Sequence, residues 1–121
     1  MKTITVGIMS KEAYKQRSIE IAKGSYTPKK NEPKIWFESV KSMAQILSNE
    51  NQALLKAILE HRPKSLKELE TLTGRAKSNL SRTLRTLERY GIVELQRSEN
   101  ALVPQVKATH FRVEFGFEAV A

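Results

Sequence analysis

The sequence contains no cysteine and no aspartate. The first absence excludes disulfides, thiolate metal sites and cysteine nucleophiles, and it fits a reducing compartment. The second leaves glutamate as the sole acidic side chain, so a metal site would have to be built from glutamate and histidine. The only histidines are His61 and His110, far apart in the chain, and no spacing supports ligation. The glycines Gly7, Gly24, Gly74, Gly91 and Gly116 are isolated from one another, which excludes a glycine-rich phosphate loop. No run approaches the ~18 apolar residues of a membrane span, and MKTITVGIMSKEAYK breaks into charge too early for a signal peptide. These absences lead us to expect a cytoplasmic chain with no membrane association, no catalytic residues, no metal and no cofactor.

What the sequence does have is positive charge. Lysine and arginine total 21 against 13 glutamates, a net charge of +8. Such a balance suits nucleic acid, an anionic membrane surface or an acidic protein. The excess is densest in residues 62–89. There Arg62, Lys64, Lys67, Arg75, Lys77, Arg82, Arg85 and Arg89 face only Glu68, Glu70 and Glu88.

Hydrophobic periodicity sets out the elements. Ile4, Val6 and Ile8 alternate in a strand over residues 2–9, and Ser10 can cap a helix through KEAYKQRSIEIAK, stopped by Gly24. That helix lacks a wide apolar stripe, so it should be partly exposed or pack on a partner. Residues 1–24 thus read as a strand–helix arm and residues 25–33, SYTPKKNEP, as a solvated linker. Residues 34–121 read as the main domain. It begins with a strand, KIWFE, in which Trp36 and Phe37 close the core or flank a small-molecule pocket. Ser39 caps a helix through VKSMAQIL, and Ser48 caps one through NENQALLKAILEHR, striped by Ala53, Leu54, Ala57 and Ile58, widened by Leu55 and Leu59, and ended by Pro63. Ser65 and Glu68 have the form of a capping box, followed by a face of Leu66, Leu69 and Leu72 and a sharp turn at Gly74. A helix over residues 76–90 then buries Ala76, Leu80, Leu84 and Leu87, and Gly91 ends it. Ile92, Val93 and Leu95 begin a strand, residues 98–104 form a polar turn, and residues 105–118 alternate with Phe111, Val113, Phe115 and Phe117 on one face.

With its leucines turned inward, the 76–90 helix shows Lys77, Ser78, Asn79, Ser81 and Arg82 on its first turns. A helix reads duplex DNA when it enters the major groove and presents polar side chains near its N-terminal end. Asparagine and arginine make bidentate contacts with adenine and guanine, and serine is tolerant. Arg85, Thr86 and Arg89, further along, face outward and suit phosphates better than bases. The helix N-terminus favours an anion, and the short preceding helix can brace the backbone through Ser65 and Lys67. Taken alone, a basic helix is most often a solvated face. The order of helix, tight turn, basic helix, glycine and hydrophobic hairpin is more specific.

The stretch LLKAILEHRPKSLKELETLTGRAKSNLSRTLRTLERYGIVEL resembles the core of winged helix-turn-helix transcriptional regulators of the MarR and ArsR type, over residues 49–97. The resemblance implies an α+β fold, mainly α, with a C-terminal β-hairpin wing. Residues 75–90 would form the recognition helix, with Arg75 joining the phosphate contacts. The hairpin near Arg97–Lys107 would be the wing, with Arg97 and Lys107 on phosphate. Double-stranded DNA would be bound by a homodimer acting as a repressor. The whole layout, arm included, is similar to short prokaryotic predicted regulators that are often paired with a toxin and regarded as its antitoxin. The alternative function is therefore an antitoxin that neutralises a cognate toxin protein and autoregulates through the same DNA-binding domain. A winged helix that binds only protein is a third reading. The arm and the strand over 111–117 are the candidates for dimerisation, unless the two pair with each other within one chain.

Overall fold

The computed structural model describes residues 2–117. It is α+β, with five helices and two small sheets. In order, the elements are β1 (Thr3–Ile8), α1 (Lys11–Ala22), β2 (Ile35–Phe37), α2 (Val40–Ile46), α3 (Asn49–His61), α4 (Leu66–Thr73), α5 (Lys77–Arg89), β3 (Val93–Ser98), β4 (Ala101–Val106) and β5 (His110–Glu114).

Local chemistry accounts for most helix boundaries. The hydroxyls of Ser10, Ser39, Ser48 and Ser65 each accept an N–H three residues on, from Ala13, Ser42, Asn51 and Glu68. At α4 the box is modified, because the Glu68 carboxylate reaches the N–H of Lys64 rather than that of Ser65. Gly74 takes a φ of 73° as the C-cap of α4, and its N–H returns to Glu70 O. Gly91 (φ 77°) releases the chain from α5 toward the β3–β4 hairpin.

The first strand is the centre of a sheet, not a free arm. The order is β2-β1-β5, and both pairings are parallel and lie within one chain. Val6 lies opposite Ile35 on one side and Val113 on the other; Ile4 lies opposite Phe111, and Ile8 opposite Phe37. Parallel neighbours need a crossover, and α1 supplies the one between β1 and β2. The alternation of Ile4, Val6 and Ile8 thus turns one face of this sheet toward the helices. There Val6, Ile35 and Phe37 join Leu54, Leu55 and Ile58 of α3, Leu66 and Leu69 of α4, and Leu80, Leu84 and Leu87 of α5. Ile92 and Val93, leading into the β3–β4 sheet, complete the same core. Each fully buried leucine contributes about 1.5–3 kcal/mol relative to exposure. Phe37 also stacks on Tyr90, with ring centroids 4.9 Å apart.

The opposite sheet face is crossed by Trp36. A Cβ on Gly7 would lie 2.5 Å from its Cζ3 and 2.9 Å from Pro33 Cγ, so the strand must be bare at that point. The segment expected to be a solvated linker is packed at this end. Pro33 is buried, and Glu32 accepts hydrogen bonds from Arg17 and from the Tyr26 hydroxyl.

The C-terminal third departs from the periodic reading. The hairpin turn is only Glu99–Asn100, with Glu99 at φ 54°, and residues 101–104 belong to β4 instead of the turn. The expected 105–118 strand is split. Its start completes β4, the chain turns through Lys107–Thr109 with Ala108 buried, and β5 joins the other sheet. Phe111 is half-buried while Val113, Phe115 and Phe117 are exposed; Glu118, at the end of that run, lies outside the described residues. Several positions expected to be apolar contacts also face outward: Ala53 and Leu59 on α3, Leu72 on α4, and Ala76. Ala76 is the N-cap of α5, so its side chain precedes the buried stripe.

Candidate nucleic-acid interface

Leu80, Leu84 and Leu87, all with no exposed surface, set the rotation of α5 about its axis. Lys77, Ser78, Asn79 and Arg82 are exposed, and Ser81 is half-buried. Arg85 and Arg89 continue the outward face and donate within the helix, to Ser81 Oγ at 3.4 Å and Thr86 Oγ1 at 3.2 Å.

Beyond the outward face of α5, the contacts expected with DNA fall into three sets by their surroundings. The first set meets at a cleft of about 330 Å³. Ser65 and Lys67 line it from the start of α4, Lys77 from the start of α5, and Arg97 and Asn100 from the hairpin tip. Among the described residues, none of Lys67, Lys77, Arg82 and Arg97 forms an ion pair, because the pairs found are Lys11–Glu38, Arg17–Glu32, Lys56–Glu60 and Lys107–Glu94. Three cations from three elements therefore surround one concavity. Ser65 is already a helix cap, and its hydroxyl proton is the part left to donate outward.

The second set is held internally. Arg75 Nε donates to Asn79 Oδ1 at 2.8 Å, Nη2 to Thr83 Oγ1 at 3.0 Å and Nη1 to Asn51 Oδ1 at 3.3 Å. Its guanidinium links the α4–α5 turn to α3 and orients the Asn79 amide, so here it positions a neighbour. Lys107 lies at the foot of the hairpin, where its Nζ is 3.2 Å from Glu94. That hydrogen bond, then one from Gln96, then the lysine charge, hold the Glu94 carboxyl below the usual carboxylate range.

The third is the helix end itself. Ala76 offers no side-chain cap, and the Glu70 carboxylate accepts the Lys77 N–H at 3.2 Å. The N-terminus of α5, expected to favour an outside anion, already has a carboxylate from α4. Sequence spacing does not reveal this contact, because Glu70 and Lys77 sit on different helices either side of the Gly74 turn. Asn51, which anchors Arg75 from α3, and Asn100, at the hairpin tip, were also missed; only their polar character hinted at them.

Among the described residues, concavities of nearly twice the cleft's volume or more lie elsewhere, one of about 620 Å³ between α3 and the β4–β5 junction, another of about 880 Å³ beside Trp36 and Arg17. Among the described residues no cluster of histidine and glutamate could hold a metal ion, and no helix is long and apolar enough to cross a membrane.

No curated protein and no solved structure matches the chain. A family model, HVO_A0114, matches residues 46–113. That span runs from the last residue of α2 into β5 and takes in α3, α4, α5 and the whole hairpin with its basic cleft. It is more than half of the sequence, and the chain belongs to the HVO_A0114 family.

Proposed function

We propose that the protein is a duplex-DNA-binding transcriptional regulator of winged helix-turn-helix type, acting as a homodimer. In this reading α4 and α5 are the helix-turn-helix and the β3–β4 hairpin is the wing. The observation that carries it is the cleft where the Lys67, Lys77 and Arg97 side chains converge from α4, α5 and the hairpin with no ion pair among the described residues. A phosphate seated there would touch all three elements at once, so one backbone contact would set the depth and tilt of α5.

The rest follows from the orientation of α5. At 1.5 Å per residue a 13-residue helix is about 20 Å long, enough to lie in a major groove with its N-terminal turns toward the base edges. Asn79 and Arg82 are the base readers on that face, with Lys77 and Ser78 beside them and Ser81 partly screened. Arg85, Arg89, Lys67 and Arg97 meet phosphates. Arg75 serves the interface indirectly by holding Asn79, and Lys107 stands back from it.

The test is a gel shift with a fragment of the protein's own promoter, repeated across a salt series and with random DNA. Binding through phosphates gives a log–log salt slope of roughly one per neutralised phosphate, and a promoter preference marks base reading. No shift at low salt would overturn the reading. A promoter-reporter assay then separates repression from activation.

A further inference from the structure

We propose that the outer edge of β5 is the dimer surface. Two copies pair β5 with β5 in antiparallel fashion about a two-fold axis at Val113, joining two three-stranded sheets into one of six strands. The proposal deepens the homodimer in the preceding reading and rests on it for that dimer's purpose, not for its geometry.

The sheet has two edges, and they differ. At one, β2 is three residues long and follows Pro33, which has no N–H to offer and is buried. At the other, β5 is five residues long and, among the described residues, is paired only on its β1 side. An unpaired edge of that kind is a template for another strand. The side chains beside it are apolar and exposed, Val113 at 46% and Phe115 at 61%.

The occupant is named by self-complementarity. A two-fold axis perpendicular to the sheet keeps each face on its own side, so a residue must oppose one of the same parity. With the axis at Val113, Arg112 of one copy faces Glu114 of the other, and Glu114 faces Arg112. Phe111 faces Phe115 twice, and Val113 meets its own copy. Both charges of the strand are thereby neutralised, and its Phe111 meets Phe115, the residue just past the strand's end; such cross-strand pairs stabilise antiparallel sheets. Shifting the axis to either neighbour sets Arg112 against Arg112 or Glu114 against Glu114. The strand therefore specifies one register and opposes the two nearest alternatives. A partner of other sequence would have to reproduce this charge order; a second copy carries it already.

The absence of cysteine makes the test direct. Val113→Cys gives a single thiol per chain. Opposed Cα atoms in an antiparallel pair sit about 4.5–5.5 Å apart, inside the roughly 4.4–6.8 Å that a disulfide spans. Mild oxidation should cross-link this variant to a covalent dimer. Leu59→Cys, in the apolar groove beside α3, should not cross-link. In sedimentation velocity, Arg112→Glu should weaken self-association by about tenfold or more by facing glutamate with glutamate twice, and Arg112→Glu with Glu114→Arg should restore it. A monomeric wild type at tens of micromolar would overturn the proposal. So would cross-linking at Leu59→Cys but not Val113→Cys, or a double variant as weak as the single one. The gel shift is read separately. A β5-linked dimer that ignores the promoter would sink the regulator reading and leave this interface standing, whereas a promoter-binding dimer that fails to cross-link at Val113→Cys would do the reverse.

Discussion

Helices α1 and α5 are 12 and 13 residues long and both are rich in charge, yet the fold uses them in opposite ways. α5 sinks three leucines into the core at spacings of four and three; α1 buries no residue at all. A stripe at that spacing fixes the rotation of a helix, and so makes the opposite face a defined chemical surface. α1 has no stripe, and its Lys11–Glu38 ion pair is exposed, so its main tether is one partly buried side chain. Arg17 pairs with Glu32 at 2.9 Å, both side chains about four-fifths buried, and its guanidinium lies over the rings of Trp36 and Tyr26. Arginine, too, is used in opposite ways. On α1 it is a neutralised structural cation, while on the outward face of α5 Arg82 has no carboxylate partner among the described residues.

The comparison breaks most easily at its apolar end. Leu84→Ala should cost about 2–5 kcal/mol, since the site has no exposed surface and a cavity would remain. Ile19→Ala on α1 should stay within about 0.5 kcal/mol. Urea unfolding followed by circular dichroism measures both. Equal losses at the two positions would show that α1 is packed as firmly as α5, contrary to the burial.

Gly7→Ala probes the other side of the sheet, where α1 is tethered. The added methyl would meet Trp36 and Pro33 at 2.5 and 2.9 Å, an overpacking expected to cost about 1–3 kcal/mol. Trp36 is the sole tryptophan, so its fluorescence reports the displacement directly. An unshifted spectrum with full stability would mean that the ring is not pressed against the strand.

These two predictions also mark what could be read from sequence. The four serine caps, the Gly74 turn, the stop at Gly91 and the three buried leucines of α5, though not the exposed Ala76, were legible, because each depends on residues within a few positions of one another. The place of β1 was not. Its alternation announced a strand, but its partners lie some 30 and 107 positions away, and periodicity carries no information about pairing at that distance. The break at Lys107–Thr109 was hidden for a related reason, since β4 and β5 share one alternating pattern while serving different sheets. In the candidate interface, spacing identified which side chains face outward. It could not show that Asn51 and Asn79 would engage Arg75, or that Glu70 would reach the start of α5, since those contacts depend on how α3, α4 and α5 pack.

Arg82→Ala sharpens the functional half of the comparison. If Arg82 reads a base, promoter affinity should fall by about 1–3 kcal/mol with random DNA less affected. An equal fall on both would make it a phosphate contact. Arg75→Ala should have a smaller effect, about 0.5–1.5 kcal/mol in stability, through loss of its hydrogen bonds to Asn51, Asn79 and Thr83. Its loss of promoter preference should resemble that of Asn79→Ala. A change in salt slope at Arg75→Ala instead would assign it a phosphate.

The smallest effect is expected at Glu94, where the hairpin repeats the pattern of Arg17 in exposed form. Lys107 has a carboxylate partner, so Lys107→Ala should leave the salt slope of DNA binding unchanged, while Arg97→Ala at the hairpin tip should reduce it by about one. The same pair sets a pH dependence. The hydrogen bond from Lys107 lowers the Glu94 pKa in the folded state, so the folded chain holds this proton less tightly than the unfolded chain does. The resulting stabilisation is present above the ordinary glutamate range and is lost as pH falls through the lowered folded value. Stability curves for the wild type and Glu94→Gln should therefore be separated by a small margin at neutral pH and converge in acid. A gap that widens as pH falls would show that the carboxylate is not stabilised by its neighbours. Lys107 would then count, like Arg97, as a cation open to phosphate.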